Sequence, residues 1–274
     1  MAARTFTVGN FKGGVGKTKI ATMLAYDNAE VRNEKTLLVD LDPQANASDV
    51  LAKSFGLSSL DKTIMDGINA NDFNEAITHL SDNLDLIACT TNFSTFEKYV
   101  IQGFSDEADQ VTVLKNLLDP IKDKYQAIFL DVPPTISVFS DNAMAASDYS
   151  IIAFQTVDES LQGVKKYVSY QNFMAQHYGV SLQVIDIIPC MLTSDDKLDH
   201  DVLSEAREEF GDTVSSTVIK YQKRLKGYSR TGITLNRNRN GNFEQWDYRA
   251  HAGFIDLLNE LDARDEFVQS SKEA

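Results

Sequence analysis

The segment NFKGGVGKTK, Asn10 to Lys19, gathers three glycines, three lysines and a threonine into ten positions. That mixture suits a phosphate. Gly13, Gly14 and Gly16, with Val15 between them, let the backbone turn its N–H groups inward without a Cβ clash, and a helix starting at Lys17 presents its positive end to an anion. Lys17 can then reach the terminal phosphates of a nucleotide, and the Thr18 hydroxyl can ligate magnesium.

Two carboxylate runs could complete the site. In TLLVDLDPQAN, Thr36 to Asn46, Asp40 and Asp42 stand at i and i+2, which a strand points to one face. Open α/β sheets bind ligands at the carboxyl ends of their strands, so both carboxylates would lie beside the phosphate loop if this strand neighbours the first. In AIFLDVPP, Ala127 to Pro134, an apolar strand closes on Asp131. A carboxylate there could hold magnesium through a water, since magnesium keeps several waters and takes few protein ligands.

These residues need a scaffold, and the chain supplies a periodic one. Near-continuous apolar runs predict strands over Thr5 to Asn10, Thr36 to Leu41, Leu84 to Ala88, Ala127 to Asp131, Tyr149 to Phe154 and Gln183 to Cys190. Helical spacing covers Lys17 to Val31, Gln110 to Lys124, Ser160 to His177 and Leu198 to Phe210, with a C-terminal helix, interrupted or not, over Trp246 to Val268. The alternation predicts an α/β fold: a mostly parallel twisted sheet flanked by helices on both faces. Ser54 to Asn83 and Thr231 to Glu244, including the biased tract Asn236 to Asn242, are the least regular parts.

The loop departs from the general GxxxxGK[ST] pattern, because Phe11 replaces the first glycine and Lys12 is an additional lysine. KGGVGKT, Lys12 to Thr18, resembles the deviant Walker A ATPases of the ParA/MinD family, whose mark is KGGxGK[ST]. The resemblance implies a P-loop ATPase using ATP and Mg2+, and a homodimer with ATP sandwiched between subunits, where Lys12 reaches the partner's phosphates. VDLDPQ matches the family's second motif, which implies that Asp42 orients the attacking water and Asp40 supports the magnesium site. The run ending in Asp131 resembles its Walker B segment. One position differs: Lys19 stands where the family carries a second Thr or Ser, so the backbone N–H survives and the hydroxyl contact to the α-phosphate does not. Weaker similarity runs through NAMAASD, IIPCML and Val218 to Gly232, with Asp61 to Gln110 the least clear. In the ParA branch, the resemblance implies a cytoplasmic, nucleoid-associated partition protein with a ParB-like centromere-binding partner that stimulates hydrolysis.

Composition sharpens this. The 274 residues are 43% apolar and 24% charged, enough for a full core, and we expect one P-loop domain (1–274) with a C-terminal helical region at about 245–268. Nine residues before the loop predict no N-terminal helix-turn-helix module. Two distant cysteines, Cys89 and Cys190, and the scattered His79, His177, His200 and His251 give no metal, cluster or triad spacing. Forty acids against 26 bases leave a net charge of -14, which repels nucleic acid unless bases are segregated. They are: Lys220, Lys223, Arg224, Lys226, Arg230, Arg237 and Arg239 follow one another with no acid between. We therefore expect salt-sensitive, nonspecific DNA contact there, with Lys197, Lys165 and Lys166 as weaker candidates. The acidic tail from Gly253 to Ala274 argues against the MinD-like alternative of a membrane-bound ATPase, and no signal peptide or membrane span is legible. The other alternative is a nucleotide-loaded adaptor that binds ATP and a protein partner but neither turns over ATP nor holds DNA.

Overall fold

The computed structural model describes residues 3–193, 196–236 and 243–273. Arg237 and Arg239, and most of the tract Asn236 to Asn242, lie outside the described residues. The strands are β1 (Arg4–Gly9), β2 (Thr36–Asp40), β3 (Ile77–His79), β4 (Leu84–Ile87), β5 (Ala127–Asp131), β6 (Tyr149–Gln155), β7 (Gln183–Leu192) and β8 (Ile219–Lys220). The helices are α1 (Lys17–Glu30), α2 (Asn46–Ser54), α3 (Ile64–Ala70), α4 (Phe96–Gly103), α5 (Glu107–Val111), α6 (Val113–Leu118), α7 (Val138–Ala146), α8 (Asp158–Tyr178), α9 (Lys197–Phe210), α10 (Lys223–Thr231) and α11 (Gln245–Glu273).

One sheet runs in the order β3-β4-β2-β5-β1-β6-β7-β8. Every neighbouring pair is parallel except β3 with β4. The side chains alternate as a pleated strand requires. Phe6, Leu38, Phe129 and Ile151 face a core shared with α1, α2, α10 and α11, while Leu37, Val39, Ile128 and Leu130 face α3, α4, α6 and α7 on the other side. Further along that second face, Ile152, Phe154 and Ile187 pack on α8 and α9. The predicted α/β architecture with helices on both faces is what the chain adopts.

Three local differences have physical causes. The helix expected over Gln110 to Lys124 breaks at Thr112, whose hydroxyl bonds back to the carbonyls of Ala108 and Asp109, and passes after Leu118 into a 3₁₀ turn started by Pro120. The C-terminal helix is uninterrupted over 29 residues. Short β3 and β8 escaped the sequence reading because three and two residues carry too little pattern to register.

The long α11 closes the core over α1. Its Asp262 takes Arg4 from the start of β1, at 2.5 Å, and Arg32 from just beyond the end of α1. Its Arg264 lies 3.6 Å from Asp186, a fully buried aspartate on β7 whose carboxylate oxygens have no hydrogen-bond partner among the described residues. Burial pushes Asp186 up to about 8, against the pull of Arg264. The folded chain thus keeps a proton that the unfolded chain releases near its ordinary value of 3.8, so this carboxyl stabilises the fold below about pH 4 and that contribution is lost as pH rises toward 8. Urea unfolding from pH 4 to 8 should show this loss in the wild type. Asp186→Asn should flatten it and be the more stable chain at pH 8, by an amount on the order of a few kcal/mol.

Candidate nucleotide site

The chain leaves β1 at Gly9, and Asn10 pins the next turn: its Nδ2 donates to the Ala153 carbonyl at 2.7 Å and its Oδ1 accepts the Lys12 N–H at 2.8 Å. Gly14 and Gly16 then take φ of 79° and 98°, the left-handed region where a side chain is strained. Underneath, Val15 is buried, and its carbonyl accepts the Cys190 thiol at 2.8 Å. The helix α1 starts at once, so its free N–H groups and the loop open on the same space. That space is a cavity of about 440 Å³ at the carboxyl edge of the sheet.

Of the residues expected in the site, Gly13, Gly14, Gly16, Lys17, Thr18, Lys19 and Asp42 line this cavity. Lys17 is buried, with Nζ donating to the Lys12 carbonyl at 3.0 Å. Burial lowers its pKa, and Asp131 and Asp42 oppose that shift. Lys12 is exposed on the outside of the loop and does not line its own cavity.

The three aspartates are arranged differently from the expectation. β2 does not neighbour β1, because β5 lies between them, which places Asp131 closest to the loop and in direct register with Asp40. Asp131 is completely buried, and neither oxygen has a hydrogen-bond partner among the described residues. Burial and the neighbouring Asp40 push its pKa well above the carboxylate range, with Thr18 and Lys17 opposing. Asp40 is fully engaged within the chain. Its Oδ2 accepts the Ser48 N–H at 2.9 Å and hydroxyl at 2.7 Å, and its Oδ1 accepts the Asp42 N–H at 3.1 Å. Burial raises its pKa against those bonds. Asp40 therefore positions the turn that aims Asp42, and only Asp42 of the pair opens on the cavity.

Sequence reasoning missed Ser48, which also accepts the Cys89 N–H at 2.8 Å and so ties α2 to the end of β4. It also missed Asn46, Lys53, Pro134, Met191 and Ser229 in the cavity wall. These come from four separate segments, and no spacing links them before the chain folds.

A second cavity of about 340 Å³ adjoins the first and shares Gly16, Lys19, Met191 and Ser229 with it. Its wall is mostly apolar, from Ile20, Leu225 and Phe254, and Lys220 and Lys226 stand at its side. Lys19 lies between the two cavities, its ammonium 5.8 Å from the centre of the Tyr228 ring, and burial alone pulls its pKa down to about 8.

The basic segment splits into two kinds of residue. Lys220, Lys223, Lys226 and Arg230 are exposed. Arg224 is turned inward: its guanidinium pairs with the buried Asp247 at 2.5 Å and donates to the Thr234 hydroxyl at 2.9 Å. It helps to hold α10 to α11, while 40% of its side chain remains exposed. Lys165 is likewise paired, with Glu209 at 2.5 Å and Glu205 at 3.4 Å, whereas Lys166 and Lys197 are exposed. Arg249, stacked 5.3 Å from the exposed Trp246 ring and joined through its carbonyl to Gln222, adds a base that the linear count omitted.

A family model described as an AAA domain matches residues 3–184, which covers both the phosphate loop and the strand ending in Asp131. The chain belongs to the ParA/Soj-type P-loop family. It is 29% identical over 228 residues to the sporulation initiation inhibitor protein Soj of Bacillus subtilis, covering 81% of this chain and 86% of that protein. It is also 29% identical over 232 residues to the chromosome-partitioning ATPase Soj of Treponema pallidum, covering 85% and 88%. Among solved structures, apo McdA of Cyanothece superposes with a TM-score of 0.76 at 18% identity, covering 96% of this chain and 98% of that one. Cobyrinic acid a,c-diamide synthase of Mycobacterium smegmatis, with bound ADP and magnesium, superposes with a TM-score of 0.71 at 21% identity, covering 83% and 91%. Both share the fold of this chain.

Burial beside Asp40, only partly offset by Thr18 and Lys17, makes Asp131 costly to the ligand-free chain. Asp131→Asn should therefore raise the unfolding free energy of the ligand-free chain by about 1–3 kcal/mol in urea titration. An unchanged or lowered value would mean that Asp131 already has its partner within the chain.

Proposed function

We propose that this chain is an ATP-dependent partition protein, an ATPase whose nucleotide state governs its hold on DNA. The observation that carries the reading is the shared wall of the phosphate cavity and the basic surface. Ser229 of α10 lines the cavity, and Lys223, Lys226 and Arg230 of the same helix face outward. What fills the cavity can therefore act on the position of those bases through one rigid element.

Within this reading the N–H groups of Gly13 to Lys19 cradle the phosphates, Lys17 binds the terminal ones, and the adjoining apolar cavity takes the base. The residues present fit magnesium: a Thr18 hydroxyl on the cavity, and below it a buried carboxylate, Asp131, with both oxygens unpartnered. Thr18 would ligate the ion directly and Asp131 through a water, and the ion would supply charge neutralisation between phosphates. Asp42, held by the Asp40–Ser48 turn, orients the attacking water. Lys12, exposed and not part of the wall of its own cavity, serves the phosphates of a second copy in an ATP-bound homodimer, where its ammonium stabilises charge on the leaving oxygen. The relatives' names, a chromosome-partitioning ATPase among them, support partition as the task.

Pairing two copies doubles the basic surface, so ATP raises affinity for nonspecific DNA and hydrolysis releases it. A ParB-like centromere-binding partner would set the rate, and the protein would be cytoplasmic and on the nucleoid in its ATP state. No helix among the described residues is long and apolar enough to cross a membrane.

The test is binding to a nonspecific DNA duplex without nucleotide, with ADP and with ATP plus magnesium, at two salt concentrations. Salt-sensitive binding with ATP alone is expected. Binding of ATP with no DNA contact in any state would replace this reading by a nucleotide-loaded adaptor. Two variants probe the parts. Asp42→Ala should keep ATP and the dimer but lose hydrolysis by about 10²-fold or more, read by phosphate release. Neutralising Lys220, Lys223, Lys226 and Arg230 together should abolish DNA binding and leave ATP hydrolysis intact.

A further inference from the structure

The chain has a single tryptophan, and the fold does not bury it. Trp246 stands in the first turn of α11 with 66% of its surface exposed. An isolated exposed apolar side chain is ordinary, but this indole is set among cations. The guanidinium of Arg249, three positions on, lies over its ring at 5.3 Å. The Arg249 carbonyl accepts from Gln222 Nε2 at 3.2 Å, which brings the segment from Lys220 to Lys223 against this turn. Lys220 and Lys223 are exposed there, and so is Tyr221, at 54%. The acid of the turn, Asp247, is fully buried and paired with Arg224, and Glu244, just ahead of the helix, is exposed.

Phosphate binding does not call for an indole. Lys220, Lys223 and Arg249 can hold the backbone of any strand, paired or not. An aromatic face adds affinity only for a nucleobase whose own face is free, and in a duplex each nucleobase is covered by its neighbours. Arg249 over one side of the indole fixes the ring and leaves the other side to a ligand. Cations that track a backbone beside a ring on which a nucleobase can stack are the two parts of a grip on single strands.

We propose that Trp246 is a nucleobase-stacking residue, positioned by Arg249, that gives the chain an affinity for DNA with unpaired nucleobases beyond what its cations alone supply. This rests on the reading of the basic surface as a DNA face and names the form of DNA that the surface selects. Lys220 and Lys223 contribute the sequence-independent contact to phosphates, and the indole contributes the preference for an open strand.

The experiment is fluorescence anisotropy of the full chain with ATP and magnesium, using a labelled oligo-dT strand and a labelled duplex of equal length, for the wild type, Trp246→Ala, Trp246→Tyr and Trp246→Leu at two salt concentrations. Trp246→Ala should lose about tenfold in affinity for the single strand and keep its hold on the duplex within about twofold. Trp246→Tyr should retain most of the wild-type affinity and Trp246→Leu should fall with alanine, because a flat face is needed and not bulk. The factor lost should be the same at both salt concentrations, since stacking releases no counterions. Unlabelled oligo-dT should quench the tryptophan emission of the wild type, which reports this one residue. Thermal unfolding and ATP hydrolysis of the variants should match the wild type, because the side chain is exposed. Equal single-strand binding by the wild type and Trp246→Ala, or emission that oligo-dT leaves unchanged, would overturn the proposal and leave the indole to a protein partner. Wild-type affinity in Trp246→Leu, or a wild type that binds the duplex but not the single strand, would overturn it equally. A wild type that binds neither form would instead bring down the DNA face itself.

Discussion

The site depends on how firmly α1 is held. Ile20 to Ala29 are all buried, wedged between the sheet on one side and α11 on the other. Asn28 donates to the Thr36 hydroxyl at 2.9 Å on the sheet side, and Asp27 bonds to His251 of α11 on the other. A close-packed helix of this kind cannot slide without opening cavities in the core. The N–H groups at its first turn, and the loop that feeds into it, are therefore aimed before any phosphate arrives, and such pre-organisation is what makes fixed dipoles effective toward a charged ligand.

Around this rigid end the charges are left deliberately unbalanced. Asp131 and Asp40 stand in register on adjacent strands in a low-dielectric interior, where like charges resist ionising together. Asp40 is relieved by three hydrogen bonds from Ser48 and Asp42. Asp131 gains less, since Thr18 and Lys17 leave it well above the carboxylate range, and Lys17 is itself depressed by burial. Both deficits would be met by one ligand that brings phosphates together with a divalent cation, so binding it supplies the pairing that the ligand-free chain lacks.

Charge is also partitioned over the surface. The chain carries -14 in total, yet α10 contains no acid. Its Arg224 pairs with Asp247, and together with Thr234 and His251 this forms a polar seam joining α10 to α11. The same helix thus has an inner face that fastens it to the body of the protein and an outer face of exposed bases. Since Ser229 lines the cavity and Tyr228 meets Lys19 at its wall, the fold places the cavity and the exposed bases a single helix width apart.

The phosphate loop, the strands ending in Asp40 and Asp131, and the layered α/β architecture were legible in the linear chain, because each is a local pattern: glycines in register with a lysine and threonine, apolar runs of strand length, and helical spacing. The chain order could not say that β5 enters between β1 and β2, since that depends on crossover connections, and so it could not tell that Asp131 and not Asp40 would lie nearest the loop. Nor did spacing mark Ser48, whose partners are eight and forty-one positions away, or separate Arg224 and Lys165 from the exposed bases beside them. A charge in a sequence is only a charge. Whether it faces water, a partner or a cavity is decided by which distant segments fold against it, as at Lys19, whose ammonium the fold buries against the Tyr228 ring at the wall of the cavity.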